Sequence, residues 1–281
     1  MKYLETVKFG GSPLDNSVYS INMFEGHVIY RVNMPAILVI SAFKNMTNRL
    51  ERLAVFINSK KREMAEKEKE EILKAHLATA YNIFPTDNEV FKMIVSIVDS
   101  IDIDKLTGKD FRMLCGQIMG KGEDISSLIV SEYLRFKGIE NELVDSREFI
   151  VTDKVSDGEI ILEKTKGKIQ KFFESKKSPL ITMQGYIGKD ELGRSSTLKR
   201  EDSDLSAAGT AIELSTDLIF YKKRGVQNAP KEIIFGKFLE LETSQEKGLL
   251  SERALKMLGD NKKEFWIINF DNPTEKTRVH F

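Results

Sequence analysis

The chain has 281 residues, of which 41% are hydrophobic and 31% are charged, enough to bury one large α/β core or two modest ones. Its 43 Lys and Arg residues balance its 43 Asp and Glu residues, so the composition offers no basic field for nucleic-acid binding. One cysteine and three histidines exclude an internal disulfide and a Cys/His-rich metal cluster. We find no long apolar run and no secretory signal, and therefore expect a cytoplasmic protein without membrane contact.

Short apolar runs of strand length alternate with longer stretches of helical period. Helices are predicted at 60–76, where Glu and Lys recur at i, i+4 spacing, and at 126–136, followed by Gly138 as a cap. This alternation predicts a largely parallel sheet with helices on both faces. The predicted strands are 3–7, 36–42, 140–144, 179–184, 217–221 and 265–269.

A glycine pair follows the first predicted strand, in the segment Lys8-Phe9-Gly10-Gly11-Ser12. Glycines here let backbone N–H groups approach an anionic phosphate closely, and a lysine just ahead of them can neutralise a phosphoryl group. The segment lacks the Gly-Lys-[Ser/Thr] ending of a Walker A loop. Taken alone, such a pair is more often only a tight turn.

Polar residues also cluster where the second predicted strand ends, since residues 41–48 read Ser-Ala-Phe-Lys-Asn-Met-Thr-Asn. Ligands bind at the carboxyl ends of strands in open α/β sheets. Without further context an ordinary Ser/Asn turn is the simpler interpretation.

Two acidic motifs come next. Glu123, in a Gly-Glu-Asp-Ile-Ser-Ser segment, lies at the entry of a helix, where the helix dipole stabilises a carboxylate. The same carboxylate is suited to a charge-assisted hydrogen bond with the α-ammonium of an amino acid. Asp145-Ser146-Arg147 follows a predicted strand, and we interpret it as an ion pair or turn anchor with an architectural role.

The fourth block, residues 181–208, contains a buried-strand pattern, a glycine-bearing loop, and a polar turn that opens a small-residue helix. Its end resembles the aspartate kinase pattern Thr-Thr-Leu-Gly-Arg-Gly-Gly-Ser-Asp-Tyr-[Ser/Thr]-Ala-Ala. The earlier blocks resemble the same family's Lys-Phe-Gly-Gly-[Thr/Ser], Ser-Ala-x-x-x-x-Thr-Asn, Gly-Glu-x-x-Ser and Asp-x-Arg, in the same order. The matches in the fourth block are Thr197, Leu198, Arg200, Ser203, Asp204, Ser206, Ala207 and Ala208.

The resemblance covers nearly the whole chain and implies the amino-acid kinase fold, a three-layer αβα sandwich. It implies one kinase domain over 1–281, with an acceptor-binding half at 1–178 and a nucleotide-binding half at 179–281. The implied reaction transfers a phosphoryl group from ATP, with Mg²⁺, to the β-carboxylate of L-aspartate. L-aspartate or a similar amino acid is the implied partner, and a homodimer is compatible with the resemblance.

The resemblance also implies roles for individual residues, with no side chain assigned to a metal. Arg200 would hold a carboxylate of the acceptor, for which its planar guanidinium fork is suited. The acceptor is ionised at neutral pH, so positioning and charge stabilisation suffice without a general base. The implied residues are Lys8 and Asp204 for catalysis; Ser41, Thr47, Glu123, Arg200 and Ser203 for the acceptor; and Gly10, Gly11, Ser12, Tyr221, Lys222 and Gly225 for the nucleotide.

The chain departs from the family pattern mainly on the nucleotide side. Glu201 and Asp202 replace two glycines, Lys222 replaces an acidic residue, and the family's Gly-Ala-Lys-x-Leu-His-Pro has no clear counterpart at 248–253. Two unit charges about 4 Å apart repel by roughly 4 kcal/mol at an effective dielectric of about 20. We therefore expect the two new carboxylates to weaken nucleotide binding unless Lys222, nearby cations or a metal compensate.

Three interpretations stay open at this point. The chain is an aspartate kinase, a catalytically impaired relative that serves as an amino-acid-binding regulatory or structural subunit, or a kinase of another amino acid or a carbamate-type acceptor. Residues 263–273 resemble the final strand and Asn-Pro exit of the kinase domain, and the chain stops at Phe281. We therefore expect no ACT domain in it.

Overall fold

The computed structural model describes residues 3–11, 13–14, 18–29, 35–86, 88–226, 230–243 and 248–281. In these ranges the strands are β1 (Glu5–Phe9), β2 (Ala36–Ile40), β3 (Glu142–Val144), β4 (Val151–Thr152), β5 (Leu180–Gln184), β6 (Ile187–Asp190), β7 (Ser195–Thr197), β8 (Asp217–Lys222), β9 (Glu232–Ile234), β10 (Phe265–Asn269) and β11 (Lys276–His280). The helices are α1 (Val18–Ile29), α2 (Met46–Asn58), α3 (Arg62–Tyr81), α4 (Val90–Asp99), α5 (Ile103–Leu106), α6 (Phe111–Ile118), α7 (Lys121–Phe136), α8 (Leu162–Glu174), α9 (Ser203–Leu214), α10 (Phe235–Thr243) and α11 (Glu252–Asp260).

An eight-stranded sheet forms the centre of the fold, in the order β3-β5-β2-β1-β8-β10-β11-β9. Neighbouring strands are parallel except for β10 with β11. Every side chain of β2 and of β5 is buried, which requires cover on both faces of the sheet. The predicted α/β sandwich with a mainly parallel sheet is confirmed.

The chain order reverses at β1. The later strands β2, β3 and β5 lie on one side of β1, whereas β8, β10, β11 and β9 lie on the other. Such a reversal opens a crevice at the carboxyl ends of the strands, where open α/β sheets bind ligands.

An aromatic cluster packs α1 against the sheet near this crevice. The ring of Phe9 stacks on Tyr221 with centroids 4.8 Å apart and meets Phe24 edge-on at 4.7 Å. His27 and Phe270 complete the cluster, and His27 Nε2 lies 2.8 Å from the Phe270 carbonyl oxygen. One face of β1 and β8 is therefore filled by aromatic side chains.

A second sheet, β4-β6-β7, was not expected from the sequence. The glycine-bearing segment after β5 is a hairpin, with β6 and β7 antiparallel and Gly193 at φ +77° in its turn. The strands have only four and three residues, too few to show a period-2 pattern.

Two helix boundaries also differ from the sequence prediction. Helix α3 continues to Tyr81 rather than ending at 76, and α7 begins at Lys121 rather than 126. Gly122 lies in the first turn of α7. In the structure it allows close packing, because an added Cβ would lie 2.9 Å from the Ala42 Cβ atom.

The central sheet includes a strand beyond the sixth predicted strand, 265–269. After β10 and the turn that carries Asn272 and Pro273, β11 returns antiparallel to β10. Within the described ranges, no helix combines the length and the apolar character needed to cross a membrane.

We predict opposite effects for alanine at two helical glycines. Gly116 in α6 faces β7, and an added Cβ would collide with the Val155 side chain and lie 2.9 Å from the Ser195 carbonyl oxygen. Gly116→Ala should cost about 1–3 kcal/mol of unfolding free energy. Gly167 in α8 has open space, so Gly167→Ala should add about 0.5–1 kcal/mol. Urea denaturation checks both values, and a stabilised Gly116→Ala variant would contradict this packing.

Candidate functional site

A cleft of about 630 Å³ lies at the carboxyl ends of the central strands. Its walls come from the ends of β1, β2, β5 and β8, the first turns of α2, α7 and α9, and the loop 248–251. Six cationic side chains line it, against three carboxylates, so the cleft suits an anionic ligand. The cations are Lys8, Lys44, Arg200, Lys222, Lys223 and Arg224; the carboxylates are Glu123, Glu201 and Asp204.

The structure brings most of the predicted site residues together in this cleft. Ser12 lies outside the described residues, and two others do not line the cleft. Tyr221 is buried in the aromatic cluster, and Gly225 lies beside Glu275. Those that line the cleft are Lys8, Gly10, Gly11, Ser41, Thr47, Glu123, Arg200, Ser203, Asp204 and Lys222.

Strand alternation explains how two lysines meet one aspartate. Phe9 and Tyr221 pair in register and share the aromatic face, so the adjacent Lys8 and Lys222 point to the opposite face. Helix α9 packs on β1 and β8 and carries Asp204 in its first turn. The three charged side chains therefore converge from β1, β8 and α9.

The lysines hold both oxygens of the buried carboxylate. Lys8 Nζ lies 2.7 Å from Asp204 Oδ1, and Lys222 Nζ lies 2.7 Å from Asp204 Oδ2. Burial alone would raise the pKa of Asp204, but the two ammonium groups outweigh it and hold that pKa below its usual range. Burial, together with the charge of Lys8, lowers the pKa of Lys222 to about 8 despite the pairing with Asp204. We call these three side chains the Lys–Asp–Lys cluster.

Glycines make room for these groups. An added Cβ at Gly185 would lie 2.8 Å from the Ser203 Cβ atom, so only glycine lets the start of α9 approach the end of β5. At Gly10 an added Cβ would lie 3.2 Å from Lys8 Nζ, and at Gly11 it would lie 2.5 Å from the Ala42 carbonyl oxygen. The glycine pair after β1 thus serves close packing around the lysine.

Glu123 presents a buried carboxylate to the same cleft. It lies in the first turn of α7, and its Oε1 accepts a hydrogen bond from the Ala42 N–H at 3.1 Å. Among the described residues, none donates a hydrogen bond to Oε2. Burial raises the pKa of Glu123 to about 8. Such a carboxylate is suited to a cationic ligand, since a nearby positive charge would favour its ionised form.

Arg200 reaches the rim of the cleft and is held by α2. Its guanidinium lies 2.5 Å from Glu51 Oε2 and also donates a hydrogen bond to Asn48. The side chain is 45% exposed. A ligand carboxylate at the rim would therefore compete with Glu51 for Arg200.

The two carboxylates that replace glycines have different surroundings. Glu201 lines the cleft and keeps φ +71°, the left-handed conformation that favours glycine. Asp202 is buried and does not line the cleft, because its Oδ2 pairs with Arg253 Nη1 at 3.0 Å. The expectation that both carboxylates would confront a phosphate is therefore wrong for Asp202. Its charge is balanced by Arg253 on α11.

The predicted ion pair and turn contact of Asp145 and Arg147 are present in the structure. Arg147 Nη1 lies 3.2 Å from Asp145 Oδ1, which also accepts the Arg147 backbone N–H at 2.9 Å. The same guanidinium makes two hydrogen bonds with Asp124, at 2.8 and 2.9 Å. These contacts fix the start of α7 next to Glu123.

Several residues that line the cleft were not predicted from the sequence. Tyr186 follows Gly185 directly after β5, and its position at a strand end was an available signal. Leu249 and Leu250 line the cleft too, and their backbone N–H groups donate to the carboxylate of the buried Glu242. No motif in the sequence signals that contact.

The described side chains do not form a preformed binding site for a divalent ion. Across the ranges that the structure describes, no three or more Asp, Glu, His or Cys side chains are grouped to hold a metal. Asp204, the carboxylate of the Lys–Asp–Lys cluster, has one ammonium group at each oxygen. Among the described side chains, Asp204 therefore does not fit the role of a Mg²⁺ ligand, because an ammonium group is paired with each of its oxygens.

Residues 6–234 match the amino acid kinase family. A chloroplastic bifunctional aspartokinase/homoserine dehydrogenase of Daucus carota is 22% identical over 238 residues, 80% of this chain and 26% of that protein. The structure of E. coli aspartokinase III with lysine and aspartate has a TM-score of 0.85 at 22% identity, covering 99% of this chain and 64% of that one. Its complex with aspartate and ADP has a TM-score of 0.84 at 21% identity, with the same coverage. The chain thus spans about a quarter of the first relative and under two thirds of the second.

Restoring glycine at the two altered positions should have unequal effects. Glu201→Gly should change the unfolding free energy by less than about 1 kcal/mol, because the relief of the left-handed φ is offset by a more flexible unfolded chain. Asp202→Gly should cost about 1–3 kcal/mol, because Arg253 loses its buried partner. Chemical denaturation of the single variants measures both. An Asp202→Gly variant as stable as the wild type would show that the ion pair is unimportant.

The raised pKa of Glu123 predicts a pH dependence of stability. Between pH 4.5 and about 8 the folded protein holds a proton on this group that the unfolded chain has released, so unfolding free energy falls as pH rises. Glu123→Gln should remove that part of the slope when unfolding is measured at pH 5.5, 7 and 8.5. The exposed Glu140→Gln is the matched control and should keep the wild-type slope. An unchanged slope in Glu123→Gln would rule out this origin.

Proposed function

Since the chain belongs to the amino acid kinase family, we propose that it is an aspartate kinase, which transfers the γ-phosphoryl group of ATP to the β-carboxylate of L-aspartate. The observation that carries the proposal is that one cationic cleft holds both the Lys–Asp–Lys cluster and the buried, half-paired carboxylate of Glu123. The first suits a phosphate group, and the second suits the ammonium group of an amino acid.

The acceptor is bound through its two opposite charges. Its α-ammonium donates to Glu123 Oε2, and a carboxylate takes the place of Glu51 at Arg200. Ser41, Thr47 and Ser203 line the same cleft and offer hydroxyl groups. The aspartate in both structures of E. coli aspartokinase III supports this choice of acceptor. We assign the acceptor side mainly to residues 1–178 and the nucleotide side mainly to residues 179–281, with Arg200 and Ser203 contributing to the acceptor side and Lys8 to the phosphates.

The donor is bound through its phosphates. Lys8 and Lys222 supply positive charge, and the amino end of α9 adds the favourable end of a helix dipole. The ADP in a complex of E. coli aspartokinase III supports a nucleotide in this position. An ionised β-carboxylate oxygen attacks the γ-phosphorus, the bond to the β-phosphate oxygen breaks, and ADP leaves. No proton is transferred, so catalysis depends on position and charge.

A second candidate function rests on Asp204. Both of its oxygens are paired with ammonium groups, and a site locked in this state would bind the amino acid without turnover. The chain would then act as a regulatory or structural subunit. Cytoplasmic location and a homodimer remain predictions from the sequence.

Aspartyl phosphate formation, trapped with hydroxylamine, tests the proposal. Lys8→Met should lower turnover by at least about 1000-fold, because a buried charge beside the transferred group is lost. Lys92→Met removes an exposed lysine outside the cleft and should leave turnover unchanged.

Arg200→Ala should weaken aspartate binding by roughly 10- to 150-fold, corresponding to about 1.5–3 kcal/mol for a hydrogen bond to a charged group. Arg52→Ala, which removes an exposed α2 arginine paired with Glu68, is its control. Aspartate binding without any trapped product would favour the second candidate. If aspartate neither binds nor reacts, the assigned acceptor is wrong.

A further inference from the structure

The Lys–Asp–Lys cluster carries one more positive than negative charge in a buried place. The exposed fractions of its side chains are 6% for Lys8, 14% for Lys222 and 4% for Asp204. Burying an uncompensated charge is costly, and sites of this kind gain from an anionic ligand. Both lysines line the cleft, so a ligand can reach the excess charge without unfolding the cluster.

Kinase sites usually neutralise their phosphates with a divalent ion that is held by one or two carboxylates. In this cleft the buried carboxylate next to Lys8 is occupied by a second ammonium group, that of Lys222. A divalent ion that used Asp204 would meet the charge of Lys222 at close range, which is repulsive. The position that a metal would take beside Asp204 is therefore cationic already.

Charged groups from three different elements act on the ammonium group of Lys222. The charges of Asp204 on α9 and Glu242 on α10 raise the pKa of Lys222, and the charge of Lys8 on β1 lowers it. Glu242 Oε1 accepts hydrogen bonds from the backbone N–H groups of Leu249 and Leu250, whereas its Oε2 has no hydrogen-bond partner among the described residues, and Glu242 does not line the cleft. Among the carboxylates of the described ranges, Asp204 is the one that forms an ion pair with Lys222 in the cleft.

Building on the proposed function, we propose that Lys222 is a phosphate-binding residue whose ammonium group replaces the divalent ion, so that the cleft binds the polyphosphate of ATP without a metal. The ammonium group hydrogen bonds to Asp204 in the structure and has further N–H donors for a phosphate oxygen. Lys8 and the amino end of α9 bind the same phosphates from the neighbouring elements. Binding of the nucleotide then requires no carboxylate cage.

Calorimetry of ATP binding, with excess Mg²⁺ or with EDTA, tests this inference. The wild type should bind ATP in EDTA within about threefold of its affinity with Mg²⁺, and it should also bind inorganic tripolyphosphate in EDTA. Lys222→Met should weaken metal-free binding of both at least tenfold, whereas Lys222→Arg should keep it within about threefold. Lys237→Met, which removes an exposed lysine on α10 outside the cleft, should match the wild type.

A gain of metal dependence gives a second readout. Lys222→Asp restores the acidic residue of the resembled family and should make ATP binding depend on Mg²⁺. If Lys222→Met does not fold, the wild type in EDTA and the Lys222→Arg variant still decide the question. The raised fraction of neutral Lys222 above pH 8 should also weaken metal-free binding between pH 7 and pH 9.5.

Three results would overturn the inference. They are ATP binding that requires Mg²⁺ in the wild type, no binding of ATP in either condition, and equal weakening by Lys222→Met and Lys237→Met. The first of these leaves the proposed kinase activity intact. Metal-free binding that depends on Lys222, without any trapped aspartyl phosphate, would support the inference while refuting the proposed activity.

Discussion

The pairing of one buried carboxylate with two lysines is the constraint on which the site depends. Charged groups so far from water are stable only when they are paired, because each ion loses several kcal/mol of hydration. Asp204 pairs with both Lys8 and Lys222, and its own pKa is lowered as a result. Since these residues come from α9, β1 and β8, the pairing fixes how a helix and two adjacent strands meet at the crevice.

Close backbone approach makes that pairing possible. Gly185 lets the start of α9 lie against the end of β5, and Gly122 lets the start of α7 lie against the segment after β2. On the opposite face of the sheet, the aromatic rings of Phe9 and Tyr221 are buried and pack against one another. The side chains of Lys8 and Lys222 lie on the other face of β1 and β8, where α9 presents its amino end.

The substitutions in the polar turn before α9 show how a motif can change while its backbone persists. Glu201 retains a left-handed φ where the resembled pattern has glycine, so the path of the turn is kept at the cost of some strain. Asp202 is directed away from the cleft and paired with Arg253, which also donates to the Gly158 carbonyl oxygen. The new carboxylate is thus part of a link between α11 and the segment after β4.

The sequence by itself determined the fold class, the positions of the main strands along the chain and ten of the residues that line the cleft. These follow from local signals: apolar runs, glycines after strands, and motifs in a family-like order. Only the tertiary structure decided that Asp202 faces Arg253, that Tyr221 lies in the core, that Glu242 holds the loop at Leu249 and Leu250, and that Lys222 shares Asp204 with Lys8. Each of these depends on which elements become neighbours and on which face of a strand a side chain lies. A one-dimensional pattern does not contain that information, because the partners are separated by up to about 200 residues and their charges are balanced only after folding.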